Sequence, residues 1–197
     1  MQKNIKRLLF SELLIDLSRT KKIAYIAIMT ALEVVCNMFF EFKLADTQFS
    51  LTIFFSAMAG FIIGPLFGFV ACFLGDLVGF LYNSGGFMYM PWIGLSMGMV
   101  ALISGFIVNG IDFKFKGSIY VKLAITAVLT FLVCTVAINT TAFWIIYNTK
   151  KVPYMAYLVT RLFVQGQIWN SIFNYALLFA LYPIILRINN LLKTNKN

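Results

Sequence analysis

Six long apolar runs, at about 23–40, 50–63, 65–82, 90–110, 119–147 and 154–187, occupy most of this chain of 197 residues. A hydrocarbon core of about 30 Å is crossed by roughly 20 apolar residues in a helix, or by fewer where the helix is sheltered by its neighbours. Only 12% of the residues are charged and 61% are hydrophobic, whereas a soluble domain carries about 25% charged residues. So few polar groups leave lipid as the solvent for most of the chain. A soluble globular domain, a disordered tail and a disulfide-rich secreted domain are thereby excluded. The expected fold is an all-α membrane protein, one integral domain over 1–197, with a bundle of six transmembrane helices in 21–190. Between the second and third runs stands only Gly64-Pro65; proline suits a helix start, so a tight hairpin turn is expected there.

Residues 1–20 form a cytoplasmic amphipathic segment by the same reading. Ile5, Leu8, Leu9, Leu13 and Leu17 recur at helical spacing among basic and acidic residues, with no small-residue cleavage site after a compact apolar core. A short helix lying on the membrane surface is expected, the alternative being a plain orientation anchor. With the N-terminus inside, twelve basic residues (among them Lys21, Lys22, Lys114, Lys116 and Lys122) fall on the cytoplasmic side. Four fall outside or in the last span: Lys43, Lys150, Lys151 and Arg161. This asymmetry places both termini in the cytoplasm.

Absences narrow the chemistry. Histidine is missing, which excludes Ser–His proteolysis, His-ligated zinc hydrolysis and His-based phosphatase chemistry within the chain. Cys36, Cys72 and Cys134 lie in apolar spans without a CxxC and read as small buried hydrophobes. No phosphate-cradling GxxxxGK[ST] stretch is present, so no ATPase is encoded here, and no internal repeat marks a duplicated carrier. The net charge of +9 comes from residues flanking the spans rather than from one soluble stripe, so nucleic acid is not the partner. No metal site and no cofactor are expected; lipid surrounds the chain.

Ionisable side chains in a span are functional candidates by default. Glu33, Asp76 and Arg161 fall at mid-depth or in the outer half, from the first, third and sixth runs. A structural ion pair between helices is the alternative for the two acids. Thr140, Trp144 and Tyr147 follow i, i+4, i+7 spacing with Asn139 beside them. Arg161, Gln165 and Trp169 follow i, i+4, i+8, near Gln167 and Asn170, and Trp92 and Ser96 stand one turn apart. Aromatic faces, amides and one guanidinium near the outer surface suit a ligand with a flat ring and a carboxylate. Interfacial belt positions for Trp92 and Tyr147, and interhelical bonding for the amides, are the alternatives. Two outer loops, 41–50 with Phe42 and Phe49 and 83–91 with its two glycines and Phe-Met-Tyr-Met run, are placed to close over such a pocket.

Gly60, Gly64 and Gly68, Gly75 and Gly79, and Gly94 and Gly98 are spaced by four and are expected to pack helices internally. Ala27 and Ala31 repeat the spacing on the cytoplasmic half of the first run, where a smooth face could receive a partner.

The chain resembles the substrate-binding S components of energy-coupling-factor (ECF) vitamin transporters, and the folate branch in particular. The likeness runs from about Thr20 to Leu186 and is carried by TKKIAYIAIMTAL at 20–32, AGFIIGPLFGFVACFLGDLVGFL at 59–81, GGFMYMPWIGLSMGMVALISGFI at 85–107 and INTTAFWIIYNTKKVPYMAYLVTRLFVQ at 138–165. The resemblance implies a six-helix subunit in a prokaryotic cell membrane, not an enzyme. Such a subunit captures a vitamin outside and releases it inward when a transmembrane coupling subunit and two cytoplasmic ATPases act on it. It implies that Ala27 and Ala31 meet the coupling subunit. It also implies that Asn139, Thr140, Trp144, Tyr147 and Arg161 match the family's Asn-Thr…Trp…Tyr stretch and its arginine-bearing helix. With Phe49, Asp76, Trp92, Ser96, Gln165 and Trp169 they make up the expected ligand site, folate being the first expectation. The chain departs from the folate branch at SGGFMYMPWIGLS, which leaves pantothenate or another carboxylate-bearing compound as the alternative ligand. A self-sufficient small carrier or channel using Glu33 and Asp76 is the alternative function.

Overall fold

The computed structural model describes residues 10–15, 17–44, 47–82, 88–111, 117–147 and 151–194. The described residues form helices and one hairpin, joined by short connections. A single turn, α1 (Glu12–Ile15), leads to α2 (Arg19–Phe39), whose first turn is capped by Ser18 accepting from the Lys21 amide. Two strands follow, β1 (Glu41–Leu44) and β2 (Thr47–Ser50), antiparallel with Glu41 opposite Ser50 and Leu44 opposite Thr47. This segment was expected to be a loop. Pairing satisfies its backbone groups where the chain turns between two helices. Then come α3 (Thr52–Ile63), α4 (Pro65–Tyr82) and α5 (Pro91–Gly110).

The fifth run is a continuous rod of α6 (Ser118–Thr130), a π-helical stretch π1 (Phe131–Thr140) and α7 (Thr141–Tyr147). The sixth was expected as one span and is two helices. The first comprises α8 (Tyr154–Val159) and the π-helical π2 (Thr160–Val164); the second is α9 (Gln167–Thr194). Between them the chain turns at Gly166, whose φ of 72° belongs to the left-handed region that glycine adopts without a Cβ penalty.

Among the described residues four helical segments, Arg19–Phe39, Pro65–Tyr82, Pro91–Gly110 and Ser118–Tyr147, are long and apolar enough to cross a membrane, and Thr52–Ile63 and Tyr154–Val164 are shorter apolar helices. At 1.5 Å per residue α3 measures only about 18 Å. A helix so short survives in lipid because protein surrounds it. Ten of its twelve residues are buried, against α2, α4, α5 and α9. Gly60 makes this possible, since any Cβ there would collide with the Ala101 carbonyl oxygen on α5. The other four-spaced glycines also serve internal packing: Gly75 lies on Glu33, Gly79 on Asn37 and Gly98 on Phe69.

The carbonyls that end α3 are the orphans of any helix C-terminus, and each has a partner. Gly64 N–H bonds Gly60 O, and the Asn109 amide reaches Gly60 O and Phe61 O at 3.4 and 3.5 Å. The Ser11 hydroxyl donates to Ile62 O and the Ser11 N–H to Ile63 O. Phe10 stacks on Phe67 with ring centres 4.6 Å apart, and Leu14 is buried in the core. The described part of the N-terminal segment therefore docks on the α3–α4 turn. The free carbonyls at this turn and the proline's missing N–H account for the docking. Residues 1–9 lie outside the described residues, and with them most of the expected amphipathic stretch.

Candidate functional site

A cavity of about 590 Å³ opens where the end of β2 and the start of α3 meet α4, α5, π1, π2 and the first turn of α9. That volume is in the range of small-molecule sites. Among the described residues, the charged ones that line it are Asp76 and Arg161. Asp76, on α4, accepts from the Asn37 amide and from the Tyr89 hydroxyl, both at 3.2 Å. Tyr89, in the 88–90 stretch before α5, rests on Phe80 with ring centres 5.2 Å apart. Burial, and then the charge of Asp76, push its phenol up to about 12, so it remains a donor across the physiological range. Gly94 creates the niche in which phenol and carboxylate meet, because a Cβ there would lie 2.7 Å from the Tyr89 oxygen and 2.9 Å from Asp76 Oδ2.

Arg161 is presented by the wide turns of π2 and is only 9% exposed. Its guanidinium lies 4.1 Å from the centre of the Phe143 ring. Its Nε–H has no partner among the described residues. Between these groups the Asn139 amide donates to Ser96 Oγ at 3.0 Å, while Asn139 Oδ1 is buried without a partner among the described residues. Buried polar atoms are normally bonded, so an orphan guanidinium N–H and an orphan amide oxygen in one cavity wall mark positions that a polar ligand would satisfy. Asn170 and Asn174 hold the hairpin end in place: Ser50 N–H bonds Asn170 Oδ1 at 3.0 Å, and Asn174 bridges Ser50 O and Phe54 N–H at 2.7 and 2.9 Å.

Of the expected site residues, the structure brings Asp76, Ser96, Asn139 and Arg161 to the cavity. The others stand elsewhere. Phe49 meets Phe173 edge-on with centres 6.2 Å apart. Trp92 packs edge-on against Phe143 at 5.9 Å, with its Nε1–H buried and unpartnered among the described residues. Thr140 is fully buried and its hydroxyl bonds Thr135 O at 2.7 Å, across a wide turn of π1. Trp144 donates to Val152 O at 2.9 Å, and Tyr147 stacks on Phe143 at 5.7 Å. From this stretch Thr135, Asn139 and Phe143 line the cavity. The helix is turned by one residue, about 100°, from the face expected, after ten π-helical residues upstream. Gln165 and Trp169 are exposed, Trp169 to 57%. The face expected to join Arg161, Gln165 and Trp169 is cut by the turn at Gly166. The glycines and Phe87 of the second outer loop lie outside the described residues; Met88, Tyr89 and Met90 line the cavity.

Sequence reasoning missed Asn37, Phe143 and Tyr175, and had Tyr89 only as part of the loop over the pocket. Asn37 was legible as an amide one turn beyond Glu33 in an apolar span. Phe143, one of 21 phenylalanines, carried no signal that could single it out.

A family model described as "ECF-type riboflavin transporter, S component" matches residues 17–189. The chain belongs to this family of ECF transporter S components. It is accordingly a multi-pass protein of a prokaryotic membrane, and a transporter binding subunit rather than an enzyme. S components in general bind a vitamin and pair with coupling and ATPase subunits. The branch named by the model is riboflavin, where the sequence motifs pointed to folate. Among solved structures, the crystal structure of FolT bound with folic acid has a similar fold, with TM-score 0.61 and 21% identity over 80% of this chain and 92% of that one. No curated protein matches the chain in sequence.

Proposed function

We infer that the chain captures a flat heterocyclic vitamin that carries a carboxylate, folate being the compound whose chemistry fits best. The observation that carries this reading is the pair of charges lining one cavity, Asp76 with its carboxylate edge and Arg161 with its unpaired Nε–H. A pterin ring presents an amino group beside a ring N–H, two adjacent donors that match a carboxylate. A glutamate tail supplies the anion for a guanidinium over an aromatic face. Riboflavin is the second reading, favoured by the family model. Its ring N–H between two carbonyls suits amides such as Asn139 and Asn37 better than it suits a carboxylate, and it brings no charge to Arg161. Pantothenate would engage Arg161 and leave Asp76 without a donor ring.

Capture takes place from outside, with both termini in the cytoplasm, and release inward depends on a transmembrane coupling subunit and two ATPases. Ala27 and Ala31, exposed on α2, are the proposed docking face. Titration of the purified chain with folic acid, riboflavin and pantothenate, followed by tryptophan fluorescence, tests the ligand. Uptake into liposomes with and without the ATPase module separates this reading from a self-sufficient carrier.

A further inference from the structure

Of the seven acidic residues, Glu33 on α2 and Asp76 on α4 are the two within apolar spans. Asp76 faces the cavity. Glu33 is 1% exposed, in the seam where α2 meets α3 and α4, and does not line the cavity. Its Oε1 accepts the Ser56 hydroxyl at 2.7 Å, while Oε2 is buried with no hydrogen-bond partner among the described residues. Helix α4 closes over it at Gly75, where a Cβ would stand 2.8 Å from Glu33 Cβ and 2.9 Å from Cγ. Among the described residues, the titratable groups near Glu33 are Cys36 on its own helix and Cys72 and Asp76 on α4, none of them cationic, and Ser56 meets it from α3.

Ionised, Glu33 would place a bare negative charge in a space without counter-ion, next to a second acid and surrounded by lipid-facing helices. Protonated, it leaves one hydroxyl without an acceptor, which is the smaller loss by a wide margin. Asp76 differs because two donors, Asn37 and Tyr89, reach its two oxygens. We propose that Glu33 is a proton-binding site: the Glu33–Asp76 pair holds one proton at neutral pH, on Glu33 Oε2, and Asp76 is left as the single anion of the cavity. The proton sets the electrical balance of the site. Asp76 and Arg161 then face the ligand with one charge of each sign, and the seam between α2, α3 and α4 stays neutral.

The test is isotope-edited infrared spectroscopy of the full chain in detergent at neutral pH, with no vitamin added. Its outcome is therefore independent of which ligand the cavity takes. The difference between unlabelled and ¹³C-glutamate protein shows the carbonyl stretch of one protonated carboxylic acid, and ¹³C-aspartate leaves that band unmoved. Glu33→Gln, an isosteric neutral replacement, abolishes it. The labelled wild type answers the question even where the variant fails to fold. Absence of a glutamate-shifted band, a shift with aspartate labelling instead, or survival of the band in Glu33→Gln overturns the site.

Discussion

The Arg161 guanidinium sits 4.1 Å from the centre of the Phe143 ring. Phe143 also carries Tyr147 stacked at 5.7 Å and Trp92 edge-on at 5.9 Å. One phenylalanine thus ties the cation of the cavity to two aromatics that do not line it. The arrangement orients the guanidinium without neutralising it, which is what a site for an anionic group requires.

Arg161→Ala should weaken binding of a carboxylate-bearing vitamin by tens to thousands of fold, the equivalent of roughly 2–5 kcal/mol for a desolvated charge-assisted contact. Folding should be unaffected, as judged by the thermal midpoint without ligand. Phe143→Leu should give a smaller loss, about 0.5–2 kcal/mol, because the cation remains but is no longer held. Calorimetric titration of both variants checks the order.

Asp76→Asn separates the two leading ligands. A carboxylate reading two adjacent donors loses roughly 1.5–3 kcal/mol when it becomes an amide with one acceptor oxygen. Folate affinity should then fall by about tenfold or more, while riboflavin, whose edge an amide can read, should be affected less. Equal effects on both ligands would remove Asp76 from ring recognition.

How much of this site was legible in the sequence depended on the kind of signal. Glu33, Asp76 and Arg161 stood out because charge in an apolar span is rare, and the Gly64-Pro65 turn announced itself by its residues. Arg161, Asp76, Asn139 and Ser96 reach the cavity, and the boundaries of the first five runs correspond closely to helices in the structure. The failures came where periodicity was extrapolated. The turn at Gly166 removed Gln165 and Trp169 from Arg161's face. The π-helical turns of π1 rotated the stretch so that Phe143, rather than Trp144, faces inward. Nothing in single-residue propensity distinguishes a π-helical stretch from an α-helix, since the wide turns arise from tertiary packing and from side-chain bonds such as Thr140 to Thr135 O. The 41–50 hairpin escaped for a similar reason: its pairing answers the need for backbone partners between two helices and leaves little trace in composition.

Gly64→Ala should destabilise the fold by about 1–3 kcal/mol. Its φ is 106°, and a Cβ would lie 2.6–2.7 Å from the backbone of Phe10 and Ser11. The thermal midpoint should fall, while the folded fraction keeps its ligand affinity, because the turn is remote from the cavity. Ser11→Ala, which leaves the Ile62 carbonyl without its hydroxyl partner, should give a milder loss of about 1 kcal/mol.

Ala27→Leu or Ala31→Leu should separate capture from transport. Both alanines are exposed on α2, so a larger side chain meets no internal neighbour and the isolated subunit should bind its vitamin normally. With the coupling subunit and ATPases present, uptake should drop steeply, because bulk holds apart helices whose attraction in lipid depends on close approach. Loss of binding together with uptake would mean that the face packs internally.

The cavity between Asp76 and Arg161 is proposed to capture a heterocyclic vitamin. Native mass spectrometry of the full chain, purified in mild detergent and titrated with folic acid and with riboflavin, tests it most directly. The expected result is one vitamin per chain, folic acid held more tightly than riboflavin, and loss of the folic acid complex in Arg161→Ala. A folded protein that retains neither compound, or that holds folic acid equally well without the Arg161 guanidinium, would contradict it.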